Sequence, residues 1–154
     1  MKRIQSFSVN HDLLDVGMYL SRVDGDVKTY DVRMVKPNCG TYPSTGSMHT
    51  IEHLFATYAR NSKWSDQVLY VGPMGCRTGF YLLVRDTMSP EEAIELVRDS
   101  LAFIVSFEGE LPGSKRIECG NYLDHDLDAA RRDVKPLLDV LQDYPADRLT
   151  YRTV

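Results

Sequence analysis

His49-Thr-Ile-Glu-His53 is the stretch that most restricts what this chain can be. Spacing of i and i+4 puts both imidazoles on one face only if the segment is helical. Two such nitrogens can grip a divalent metal at about 2.0–2.1 Å. Glu52, beside the second His, can reach a metal-bound group without itself being a ligand. Two His at this spacing also occur on ordinary helices, so the rest of the chain must supply the context.

The 154 residues predict a single domain, 1–154. A chain of that length buries about two-thirds of its unfolded surface and needs no cross-links. The net charge of −4 argues against nucleic acid or an anionic membrane as the main partner. No apolar run approaches the roughly 18–20 residues of a membrane span. Met1-Lys-Arg-Ile-Gln-Ser has no apolar core after its charges, so it does not read as a signal peptide, and a cytoplasmic location is expected. Three cysteines, Cys39, Cys76 and Cys119, are too few and odd in number for a disulfide framework. Each has a Gly neighbour, which points to loops or element ends, where a thiol is a better candidate for chemistry than in an apolar run.

Hydrophobic patterning predicts an α+β fold: two layers, a largely antiparallel sheet with helices on one face. Strands are expected at Val16–Val23 and Val27–Val35, joined by the Asp24-Gly25 turn, then at Gln67–Val71 and Thr78–Arg85. Tyr30, Val32 and Met34 should share one strand face, with Arg33 on the other. Ser47 is expected to cap a helix over about Met48–Arg60. Ser89-Pro-Glu-Glu marks the start of a helix reaching about Phe107. A last helix is expected over about Asp126–Leu141, kinked or split near Asp133 by Pro136.

A catalytic metal site usually has three protein ligands and one open position. His49 and His53 supply two. Cys119, Cys76, Cys39, His11, His125 and several carboxylates remain as third candidates, and spacing does not choose among them.

Five blocks occur in order: Ser6-Phe-Ser8 with His11; Asp31-Val-Arg33 with Lys36-Pro-Asn38; the H-x-x-E-H; Gly72-Pro-Met-Gly-Cys-Arg-Thr-Gly-Phe80; and Glu118-Cys-Gly-Asn-Tyr122. Together they resemble the S-ribosylhomocysteine lyase (LuxS) family from Ser6 to about Ala130. The resemblance implies an enzyme that cleaves the thioether of S-ribosylhomocysteine. The products are homocysteine and 4,5-dihydroxy-2,3-pentanedione, the precursor of the autoinducer-2 signal. It implies one metal per subunit on His49, His53 and Cys119, with Fe(II) the physiological ion and zinc or cobalt able to replace it. Cys76 and Glu52 match the two acid/base groups. Ser6, His11 and Arg33 match positions that hold the ribose, and Arg60 one that reaches the homocysteine end. A homodimer is implied, with Ser6 and His11 entering the partner's active site. His125 reads as structural.

Two positions depart from the family pattern. Tyr70 stands where many members carry an acidic residue, and Gly72 where they carry Ser. The contact to the substrate's amino group is left open by that change. Two other readings are weaker. An inverted-motif metallopeptidase shares H-x-x-E-H but usually completes its site with a downstream helical Glu in a longer chain. A non-catalytic metal-binding module would be expected to lose Glu52 or Cys76, and both are present.

Overall fold

The computed structural model describes residues 1–153. Four strands form one antiparallel sheet: β1 (Gly17–Asp24), β2 (Val27–Arg33), β3 (Val68–Pro73) and β4 (Gly79–Arg85), in the order β1-β2-β4-β3. Three helices, α1 (Thr45–Asn61), α2 (Pro90–Ser106) and α3 (Leu127–Leu141), contact one another, and α1 also lies against β3. This is the expected α+β arrangement.

Alternation along the strands builds the core. Tyr30, Val32 and Met34 from β2 and its exit, Phe80, Leu82 and Val84 from β4, and Met18 from β1 are all buried. They join Ile51, Leu54 and Phe55 of α1 and Val97, Leu101 and Ile104 of α2. The opposite face of the sheet is not simply solvated. Asp31 and Arg33, which point that way, are 1% and 3% exposed.

Local signals explain the element ends. Ser89 and Glu92 form a reciprocal capping box at the start of α2. The start of α1 lies earlier than expected. Ser44, not Ser47, is the N-cap, its side chain accepting from the Ser47 N–H. Ser47 is instead buried one turn in, and its hydroxyl donates to Asp133 of α3 at 2.6 Å. A tertiary partner outweighed the local preference of Ser for a cap. Pro136 does not split the helix: α3 runs as one element from Leu127 to Leu141. Val134, Leu137 and Leu141 are buried on its inner side, while Pro136 itself is exposed. Burial of that apolar stripe offsets the backbone bond that proline cannot make.

β4 and β2 approach closely where the sheet ends. A Cβ on Gly79 would come within 2.3 Å of the Val32 carbonyl oxygen, so only glycine fits opposite Arg33. Between Met74 and Gly79 the chain turns tightly, with Arg77 N–H donating to Met74 O and Met74 N–H to Gly79 O. Arg77 takes a positive φ of 59° in this turn. Cys76 is thereby held exposed at the mouth of the sheet.

Candidate active site

The first cluster gathers around the N-terminal half of α1. One ligating atom each from His49, His53, Cys119 and His125 lie within 4.8 Å of one another. Cys119 Sγ is 3.4 Å from His49 Nε2. A four-coordinate ion with bonds of about 2.0–2.3 Å spaces its donors at roughly this scale. Two imidazoles and a thiolate suit a first-row divalent cation.

The surroundings orient these donors. His53 Nδ1 lies 2.9 Å from the Pro112 carbonyl. A carbonyl only accepts, so Nδ1 carries the hydrogen and Nε2 keeps the lone pair. Gly113 makes this possible: it has a φ of +68°, and a Cβ there would press on the His53 ring at 3.0 Å. His49 Nδ1 faces the Asp124 carboxylate at 3.6 Å.

The loop that carries Cys119 is tied back to α1. Asp126 N–H donates to Thr50 Oγ1 at 2.9 Å, and Thr50 donates its own hydroxyl hydrogen to Gly46 O at 2.8 Å. With that hydrogen committed, the 3.1 Å contact from Thr50 to His125 has the ring's Nδ1–H as donor. The His125 Nε2 lone pair then remains, buried and without a hydrogen-bond partner among the described residues. Burial first, then the neighbouring His49 and His53, push the His125 pKa below the ordinary histidine value. From sequence alone this residue reads as structural. Its ring stacks on His49 at 4.1 Å, inside the cluster. Only its position six residues after Cys119 could have pointed to it.

The second cluster lies at the end of the sheet. Ser6, Phe7, His11, Arg33, Met74, Cys76 and other residues line a cleft of about 370 Å³. The chain therefore brings Ser6, His11, Arg33 and Cys76 together within one subunit. Every nitrogen of the Arg33 guanidinium has a partner. Its Nε and Nη2 donate to Asp31 at 3.1 and 2.6 Å, and Nη1 donates to Thr78 Oγ1 at 2.5 Å. The Thr78 hydroxyl, accepting from Arg33, has its single hydrogen free for Cys76 Sγ, 3.1 Å away.

Burial pushes the Cys76 thiol up, but the Thr78 hydroxyl and N–H, followed by the Arg33 charge, outweigh it. The net shift is downward. Arg33, not the adjacent Arg77, is thus the cation that acts on the sulfur; Arg77 turns its guanidinium to the Pro43 carbonyl at 3.3 Å. Burial also works against the charge on Arg33, yet the Asp31 carboxylate more than offsets it, so the guanidinium is held even more firmly protonated.

Glu52 sits half-buried on α1 between the two His. Arg60, about 12 Å further along the same helix at 1.5 Å per residue, joins neither cluster. It is exposed and donates to the Leu69 carbonyl at 2.6 Å, next to the register shift in β3. The two family departures prove to be one packing unit. The Tyr70 ring lies over Gly72, where a Cβ would come within 2.2 Å of the phenol oxygen.

A family model described as S-Ribosylhomocysteinase (LuxS) matches residues 4–146. S-ribosylhomocysteine lyase of Phocaeicola vulgatus is 46% identical over 159 residues, covering 99% of this chain and 99% of that protein. The enzymes of the same name from Clostridium acetobutylicum and Borrelia garinii subsp. bavariensis are 44% and 38% identical over 156 residues, each covering 98% of this chain and 99% of the relative. With a match of that extent laid over two clusters built from the residues that carried the resemblance, the chain belongs to the LuxS, or S-ribosylhomocysteinase, family.

Proposed function

We propose that this protein is a metal-dependent lyase that cleaves the thioether of S-ribosyl-L-homocysteine to L-homocysteine and 4,5-dihydroxy-2,3-pentanedione, the autoinducer-2 precursor. The observation that carries this reading is the presence, in one chain of this family, of a His-His-Cys donor cluster and of a Cys76 whose thiol is acidified. His49, His53 and Cys119 hold the ion, Fe(II), one per subunit. A bound divalent ion supplies Lewis-acid stabilisation to sugar oxygens as negative charge develops on them.

The protein's own groups then move protons. Breaking a C–S bond remote from the sugar's carbonyl requires that carbonyl to migrate along the chain. Each shift removes a proton from a carbon beside the carbonyl and delivers one to the neighbouring carbon. Cys76, as thiolate, takes and returns these carbon-bound protons, aided by its lowered pKa. Glu52 transfers protons among the oxygens and serves the final β-elimination. In that step a proton leaves the carbon next to the carbonyl, the C–S electron pair departs with sulfur, and the thiolate is protonated to homocysteine. Substrate equals the sum of the two products, so no other reactant enters.

Ser6, His11 and Arg33 line the wall where the ribose binds, Arg33 supplying its charge and the N–H groups that Asp31 and Thr78 leave unused. Arg60 serves the homocysteine end from across a dimer. A homodimer is supported by large apolar side chains left standing outward: Ile4 and Phe7 near the N-terminus and Ile117 and Leu123 in the loop bearing Cys119. No described helix is long and apolar enough to cross a membrane, in keeping with a cytoplasmic enzyme.

The decisive experiment incubates Fe(II)-loaded protein with S-ribosylhomocysteine and titrates the thiol released. Stoichiometric thiol is expected. None, from protein with intact metal and reduced Cys76, removes the assignment, and cleavage of a peptide library would favour the metallopeptidase instead.

A further inference from the structure

Tyr151 stands on the sheet face opposite the helices, 120 residues beyond Asp31 in the chain, and its phenol donates to Asp31 Oδ2 at 2.7 Å. Its ring stacks on Tyr19 of β1, with centroids 5.0 Å apart and planes 15° from parallel. The same Asp31 oxygen accepts from Arg33 Nη2. Asp31 and Arg33 have 2% and 4% of their side-chain surface exposed, a buried ion pair with almost no water to share its charge. From Arg33 the contacts continue through Thr78 to the Cys76 sulfur. Nothing in the reaction itself calls on Tyr151.

We propose that Tyr151 is a positioning residue for Cys76, acting through the unbroken series of contacts Asp31, Arg33 and Thr78. The inference rests on the reading of Cys76 as the proton carrier. Its physical basis is how a buried carboxylate divides its charge. The Tyr151 hydroxyl takes up one acceptor direction of Asp31, so the carboxylate does not draw the guanidinium wholly to itself. Arg33 Nη1 then stays on Thr78, and the Thr78 hydrogen stays on sulfur. Burial, with the Asp31 charge adding to it, pushes the Tyr151 phenol far above its ordinary pKa, so it remains a donor at every working pH.

Other titratable or charged groups also face Cys76: His11 from the N-terminal 3-10 turn, Tyr42 from the loop before α1, and Tyr81 from β4. A measurement must therefore separate the Tyr151 route from these. Tyr151→Phe keeps the stack on Tyr19 and removes only the hydroxyl.

The test follows alkylation of zinc-loaded protein by iodoacetamide across pH, reading the Cys76 peptide by mass spectrometry. In Tyr151→Phe the midpoint should rise by roughly half a pH unit, about a threefold loss of rate at any pH below it. Thr78→Val should raise the midpoint as well, and the two substitutions together should raise it by clearly less than the sum of their separate shifts, because the hydroxyl relay is already cut. Thr78→Ser, which keeps the hydroxyl, should hold the wild-type midpoint. A wild-type midpoint in Tyr151→Phe overturns the proposal, even if the melting temperature falls, since Tyr151 would then only brace the fold. Fully additive shifts in the double variant overturn it too. Alkylation needs no substrate, so failure of the lyase reading would appear separately, as wild-type protein that releases no thiol.

Discussion

At the scale of single residues, two sulfurs that look alike in sequence stand in opposite surroundings. Cys119 lies in a loop 3.4 Å from a histidine nitrogen, whereas Cys76 lies on a threonine hydroxyl with a guanidinium behind it. Substitution should separate them. Cys76→Ala is expected to keep metal content near wild type and to lose turnover by several orders of magnitude, the usual consequence of removing a group that acts in the chemical step. Glu52→Gln should behave the same way. Cys119→Ala should instead weaken metal affinity, measured by competition with a chelator. Loss of metal from Cys76→Ala would mean that the two roles had been exchanged.

At the scale of elements, α3 shows how tertiary packing overrides a local rule. Pro136 has no N–H to offer the Arg132 carbonyl, yet the helix passes through it because its inner stripe is buried against the other helices. The cost should still be present as lost stability. Pro136→Ala, at an exposed position, is expected to stabilise the protein by about 1–3 kcal/mol, read as a higher urea midpoint at unchanged slope. An unchanged or lower midpoint would show that the proline's limit on the unfolded chain outweighs the missing bond. In α1 the same lesson runs the other way. Ser47 has the chemistry of a cap, but Asp133 claims its hydroxyl, and Ser44 caps in its place.

At the scale of the whole molecule, the His-Cys cluster links segments that meet only on folding. The loop between α2 and α3 is fastened to α1 through Pro112, Asp124, Asp126 and Thr50, and Cys119 arrives with it. Because an ion bound there favours the folded state alone, removing it with a chelator should lower the thermal midpoint, and re-adding zinc should restore it. A chelator-insensitive melt would count against a metal at this site. Air should also inactivate the Fe(II) form faster than a zinc form, since Cys76 is exposed and acidified while Fe(II) is itself oxidisable. If both forms decay alike, oxidation of Cys76 alone accounts for the loss.

The strand alternation, the capping box at Ser89 and the His49–His53 spacing are short-range patterns, and for these the amino-acid order alone was enough: four strands, three helices and a two-histidine face follow from periods of two and of 3.6 residues. The resemblance carried by the Pro-Met-Gly-Cys block and its companions extended that to a family. What no local pattern could state is which atoms meet across the fold. Arg33 reads as a solvated strand residue until Asp31, Thr78 and Tyr151 close around it. His125 reads as incidental until Thr50 turns its lone pair inward. Hydrogen bonds and buried charge depend on distances between residues far apart in the chain, and those distances exist only once the chain has packed.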